Sequence, residues 1–132
     1  VKCIYNQEYI QAISYYDKIL EIEPKNDKVL RLKGVAKREL GLFEEANRLL
    51  DMAIALNSKS DIAYVERGMV KNAMGRYQEA VQDLEMAIKL NPKNDQARKE
   101  LEFPRQILQL QEWKQQISSL SSKGDHTAVV SY

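Results

Sequence analysis

The chain has 132 residues, 44% of them hydrophobic, with 20 Lys and Arg against 19 Asp and Glu. That is enough apolar material for one domain core, and a net charge of +1 gives no support for nucleic-acid or anionic-membrane binding. The lone Cys3 excludes an internal disulfide framework and fits a reducing, cytoplasmic setting; no apolar run reaches the ~18 residues that a spanning helix requires.

In chain order, Val1 to Gln7 reads as the back half of an opening helix, followed by a full helix from Glu8 to Ile22. Together they make a partial first unit over 1–26, as expected of a fragment, with Ile4 and Tyr5 on an unfinished stacking edge. A second unit, 27–60, opens with Asp27 as N-cap and Val29, Leu30 and Leu32 as its first apolar positions. Leu40-Gly41 stops that helix, and Phe43, Ala46, Leu49, Leu50, Ala53, Ile54 and Leu56 recur at helical spacing in the next.

A third unit, 61–94, repeats the plan: Asp61 as cap, Ala63-Tyr64-Val65, the stop at Met74-Gly75, then Tyr77, Ala80, Val81, Leu84, Ala87, Ile88 and Leu90, with Pro92 closing it. The units are in step at an offset of 34 residues: Ala12, Ala46 and Ala80 align, as do Tyr9, Phe43 and Tyr77. A fixed period in this range marks a stacked array whose units cannot bury their apolar faces alone. The small residues Gly34, Gly68, Ala46 and Ala80 sit where helices must approach closely.

From Asp95 the pattern changes. Phe103, Ile107, Leu110, Trp113, Ile117 and Leu120 recur at intervals of three and four. They predict one amphipathic helix over 95–120 that caps the third unit, kinked or split near Pro104. The rival expectation is that Trp113 to Leu120 projects and pairs with another chain. Residues 121–132 read as a flexible tail.

These residues resemble the tetratricopeptide repeat, through Tyr64, Gly34 and Gly68, the two aligned sets at Ala12 and Tyr9, and Pro24 and Pro92. The resemblance covers about residues 1 to 94. It implies an all-α fold, a superhelical stack of helix-turn-helix repeats with a C-terminal capping helix. Lys33 and Arg67 depart from the usual Leu, and Lys37 and Lys71 from the usual Tyr; their stems are expected to pack while their charges reach water. In this family the opening helices line a concave groove that takes a peptide segment of a partner protein. By resemblance the groove residues are Lys28, Arg31, Val35 and Arg38 in the second unit, Ile62, Val65, Met69 and Asn72 in the third, and Gln96 and Lys99 in the cap. A ligand with acidic groups beside an apolar anchor suits such a lining.

The resemblance also permits a test of one family function, the clamp that holds the C-terminal carboxylates of heat-shock chaperones. Leu32 stands at its Asn position, and Ile62 and Glu66 at its Lys and Arg positions. Glu66 repels a carboxylate, so no dicarboxylate clamp is expected. Catalysis is not expected either. His126 is the only histidine and lies in the predicted tail, no Gly-rich phosphate loop is present, and Glu44-Glu45 fit a helix first turn by dipole alone. The expectation is a non-enzymatic scaffold with no metal and no cofactor. Self-association through the N-terminal edge or the Trp113 helix, or a place as accessory part of a larger enzyme, are the alternatives.

Overall fold

The computed structural model describes the backbone of residues 2–122 and the side chains of residues 6–121. Among them are six helices and no strand: α1 (Lys2–Ile22), α2 (Asp27–Glu39), α3 (Phe43–Leu56), α4 (Asp61–Ala73), α5 (Tyr77–Leu90) and α6 (Asp95–Ser122). Each packs on its sequence neighbour, and α4 also touches α2 and α6, so the opening helices α2, α4 and α6 form a row. The result is a superhelical stack of helix pairs.

The stops between paired helices come from glycine. Gly41 and Gly75 both adopt φ of 80°, a left-handed conformation that a side chain disfavours. The amide of Leu42 then donates to Lys37 O at 2.9 Å, and that of Arg76 to Lys71 O at 2.8 Å, capping the carbonyls the helix leaves open. The residue one period before Gly41 is Gln7, and no turn forms there. The expected break between Gln7 and Glu8 is therefore absent, and α1 runs on without interruption. The side chains of Ile4 and Tyr5 lie outside the described residues, as does the predicted tail from residue 123 onward, His126 included.

The N-caps stand one residue earlier than the sequence suggests. Asn26 Oδ1 accepts from the Val29 amide and Ser60 Oγ from the Ala63 amide, both at 3.2 Å, and Asn94 Oδ1 from the Ala97 amide at 3.1 Å. The aspartates that follow tie helix ends together instead. Asn57 donates to Asp27 at 3.2 Å, and Asn91 and Asn94 donate to Asp61 at 3.0 and 2.9 Å. Partial burial pushes the Asp61 carboxyl up, but hydrogen bonds from Asn94, Asn91 and the backbone amides of Asp61 and Ile62 together hold the group below its ordinary 3.8.

The core runs along the stack. Ala46, Leu50 and Val70 form one buried cluster, and Val65, Leu84, Ala87, Ala97 and Leu101 form the next. Gly34 and Gly68 are where helices meet most closely. A Cβ on Gly34 would sit 3.1 Å from Leu50 Cγ and 3.4 Å from Ala46 O, and one on Gly68 would sit 2.8 Å from Leu84 Cγ. A methyl group at Gly68 would force Leu84 to move, and one at Gly34 would need Leu50 to give by a few tenths of an ångström.

The basic residues that replace Leu and Tyr bury most of their length and end on carboxylates that are about half exposed. Lys33 pairs with Asp17 at 2.6 Å, and one period later Arg67 pairs with Asp51 at 2.9 Å. Lys37 pairs with Glu45 at 3.1 Å, and Lys71 with Glu79 at 3.6 Å. The 34-residue period thus includes a ladder of ion pairs that links each opening helix to its neighbours.

α6 departs from expectation twice. It continues through Pro104 as one helix of 28 residues, about 42 Å long, without the expected split. Pro104 falls one period after Val70, at a position buried on the preceding unit, and its ring is itself fully buried. That burial offsets the hydrogen bond proline cannot make. The face that packs is Ala97, Leu101 and Pro104, whereas most of the predicted stripe faces outward: Phe103, Leu110, Trp113 and Ile117 are all at least half exposed. Phe103 leans edge-on against Tyr77 at 5.8 Å, and residues 109–119 of α6 are exposed, with Gln111 and Gln115 lining a depression beside the start of α5. The first half of α6 thus buries its small face on the third unit, while Leu110, Trp113 and Ile117 stay about half exposed.

Candidate functional site

On the row formed by α2, α4 and α6, side chains from adjacent opening helices meet. Arg31 Nη1 on α2 donates to Glu66 Oε1 on α4 at 3.1 Å, with both side chains mostly buried. Further along, Arg38 Nη1 approaches Met69 Sδ at 3.4 Å, and its Nη2 pairs with Glu39 at 2.9 Å. Gln96 Nε2 reaches the same sulfur from α6 at 3.8 Å. Sulfur is a weak acceptor, so these last contacts position the chains more than they bind them.

The predicted lining is therefore brought together only in part. Arg31, Val35, Arg38, Met69 and Asn72 are half-buried along the row, and Lys28, Ile62, Gln96 and Lys99 are exposed at its margins. Val65 is not a lining residue. It is 2% exposed, because Ala97 and Leu101 of α6 cover the face that Arg31 keeps open in the unit before. The expected basic stretch is also changed: Arg31 is neutralised by Glu66 and Arg38 is shared with Glu39.

Glu66, which the repeat resemblance marks only as unfavourable to a clamp, is part of the lining. Its signal was its place one turn after Ile62. Its Oε2 is buried without a hydrogen-bond partner, as is Oδ1 of Asn72. Burial pushes the Glu66 carboxyl above its ordinary 4.5, against the opposing pull of Arg31 and Arg38.

The folded state therefore holds the Glu66 proton to higher pH than the unfolded state does. Ionisation of this group costs stability above the raised value, and the cost disappears as pH falls through that value towards 4.5. Glu66→Gln is expected to abolish this component. Subtracting its melting-temperature profile from that of the wild type, between pH 4 and 7, should leave a difference that favours the wild type progressively as pH falls. A flat difference would show that Glu66 titrates as in water.

No group of three His, Cys, Asp or Glu side chains suited to a metal occurs among the described residues, and no helix there is long and apolar enough to cross a membrane. Models of the tetratricopeptide repeat match residues 4–66 and 62–94. Among solved structures the chain is similar to the first TPR of Spaghetti (RPAP3) bound to the HSP90 peptide SRMEEVD, at 31% identity and a TM-score of 0.75, over 77% of this chain and 81% of that one. It is similar to the second TPR domain of human RPAP3 in complex with the HSP70 peptide SGPTIEEVD, at 28% identity and a TM-score of 0.71, over 75% and 82% of the two chains. A third likeness is to the Sgt2 TPR domain from Aspergillus fumigatus, at 25% identity and 0.74, over 78% and 70%. A comparison with curated proteins finds no match.

Proposed function

The chain belongs to the tetratricopeptide repeat family, and from that premise we propose that it is a non-enzymatic scaffold holding a peptide segment of a partner protein along the concave row of α2, α4 and α6. Repeats of this family mediate protein–protein interaction. The reading rests on two of the three buried acceptors without a partner among the described residues, Glu66 Oε2 and Asn72 Oδ1, which both lie on α4; the third, Asn47 Oδ1, is on α3. A buried acceptor without a donor costs about 1–3 kcal/mol, and an extended peptide laid along the row brings backbone N–H groups to it. Val35, Ile62 and Met69 beside these acceptors offer apolar contact for an anchor side chain.

The two RPAP3 domains hold peptides that end in EEVD. For this chain we favour a different mode, because Leu32, Ile62 and Glu66 occupy the positions of a carboxylate clamp and Arg31 is already engaged. Fluorescence anisotropy with labelled SRMEEVD, as free acid and as C-terminal amide, tests this. The expected dissociation constants agree within about twofold, whereas a working clamp loses about tenfold or more on amidation. The site itself is tested with a peptide selected on the protein from a display library. Arg38→Glu should weaken that peptide by about tenfold, and unchanged affinity would place the ligand elsewhere.

A second reading, self-association through the second half of α6, is favoured by the exposure of Leu110, Trp113 and Ile117. Light scattering at rising concentration separates the two, since a strictly monomeric species removes it. A cytoplasmic location and the absence of any cofactor belong to the same proposal.

A further inference from the structure

The ion-pair ladder breaks its symmetry at one position. In the third unit Asp83 lies almost fully buried between two cations: Arg67 Nη2 donates to Oδ1 at 2.7 Å and Arg67 Nε to Oδ2 at 2.9 Å, with Lys71 Nζ 3.5 Å from Oδ2. One period earlier the counterparts of Arg67 and Lys71 are Lys33 and Lys37, but the counterpart of Asp83 is Leu49. Where the third unit has a carboxylate, the second has the Leu49 side chain, and beside it an open depression of about 220 Å³ lined by Lys33, Lys37, Glu45, Arg48 and Leu49.

The charge balance differs accordingly. In the third unit Arg67 and Lys71 face Asp51, Glu79 and Asp83, an excess of one negative charge. Around the depression Lys33, Lys37 and Arg48 stand with Asp17 and Glu45, an excess of one positive charge. Arg48 takes the place of the neutral Gln82 and makes no ion pair among the described residues. One carboxylate would make the second unit electrically complete.

We propose that this depression is a carboxylate-binding site, in which an acidic group from outside the chain is held by Arg48, which has no ion pair of its own among the described residues, and by Lys33 and Lys37, which already pair with Asp17 and Glu45 and would share their charge with it. The third unit shows that cations at these two positions of an opening helix attract a carboxylate, there by a two-pronged bond from Arg67; the lysines of the second unit offer point charges instead. Arg48 at the rim draws the anion in. Lys33 lies about 200° around α2 from Arg31, so this site is separate from the row proposed to hold a peptide. An acidic side chain of a partner and a small free carboxylic acid share the recognised chemistry.

The test is a ¹H–¹⁵N NMR titration of the whole chain at constant ionic strength, with acetyl-Glu-Glu-amide in one arm and glutarate in the other. Saturable shifts are expected at amides near Lys33, Lys37 and Arg48, with affinity reduced about tenfold or more in Lys37→Gln and in Leu49→Asp, whose own carboxylate fills the place. Saturation by the peptide alone assigns the site to a partner's side chain, and saturation by both assigns it to carboxylates in general. Leu49→Asp should also melt above Leu49→Asn, which has the same shape without the charge. Failure of both probes to saturate, undiminished binding to Leu49→Asp, or an Asp variant no more stable than the Asn variant would each overturn the proposal.

Discussion

Leu84→Ala is expected to lower the unfolding free energy by about 2–5 kcal/mol, among the largest losses available to a single truncation in this chain. Leu84 is completely buried, and it is the side chain that Gly68 makes room for: a Cβ on Gly68 would come within 2.8 Å of its Cγ. It also belongs to the cluster shared by α4, α5 and α6, so the void lies between elements that the rest of the stack holds at fixed spacing and cannot easily close. Urea denaturation followed by circular dichroism measures the loss. Met86→Ala is the control: Met86 lies two residues away on the same helix but is 38% exposed, and its loss should be about 1 kcal/mol or less. In a repeat array the third unit is then the weakest link, so the slope with urea should also fall as cooperativity breaks. Equal effects at the two positions would mean that this layer is not where the units are joined.

The stack was legible in the sequence because period, glycines and alanines all reported the same spacing. Gly41 and Gly75 mark the turns, and Gln7, which stands in the register of Gly41, marks where α1 does not turn. The same register would have corrected α6. One period after Ala63 and Val70 come Ala97 and Pro104, and these are the residues that pack. The larger side chains Phe103, Leu110, Trp113 and Ile117 drew attention to a different face, because hydrophobic spacing marks an amphipathic stripe without saying which stripe has a neighbour.

The site was harder to read for a physical reason. Whether a cation on an opening helix is free depends on what the adjacent unit places opposite it, some 35 residues away. Arg31 meets Glu66, and no local pattern shows that pairing. Val65 is likewise covered by a helix that begins thirty residues later. Asp83 left a clearer trace, since it interrupts a buried stripe at the position where the preceding unit has Leu49. A charge in such a place needs partners from elsewhere in the fold.

That charge sets the last expectation. Asp83→Leu makes the third unit match the second at this position, yet it should destabilise the protein by about 2–4 kcal/mol. The carboxylate is only 7% exposed and binds Arg67 with both oxygens while standing 3.5 Å from Lys71. Burial pushes the Arg67 guanidinium down, and its hydrogen bonds and attraction to Asp83 more than reverse this. Without Asp83, Arg67 keeps Asp51 and the face of Tyr64 at 5.4 Å, and Lys71 keeps Glu79, so the loss falls below that of a wholly stranded buried charge. The second unit tolerates Leu49 because Lys33 and Lys37 each have another carboxylate partner, Asp17 and Glu45. The double variant Arg67→Leu/Asp83→Leu removes the stranded cation as well, and it places at 67 the Leu that the repeat pattern favours. It should recover most of the stability that Asp83→Leu loses, with a coupling of about 1–3 kcal/mol in a double-mutant cycle by urea denaturation. Additive losses would show that the two side chains stabilise the stack separately, and that the buried pair is not the unit that joins α4 to α5.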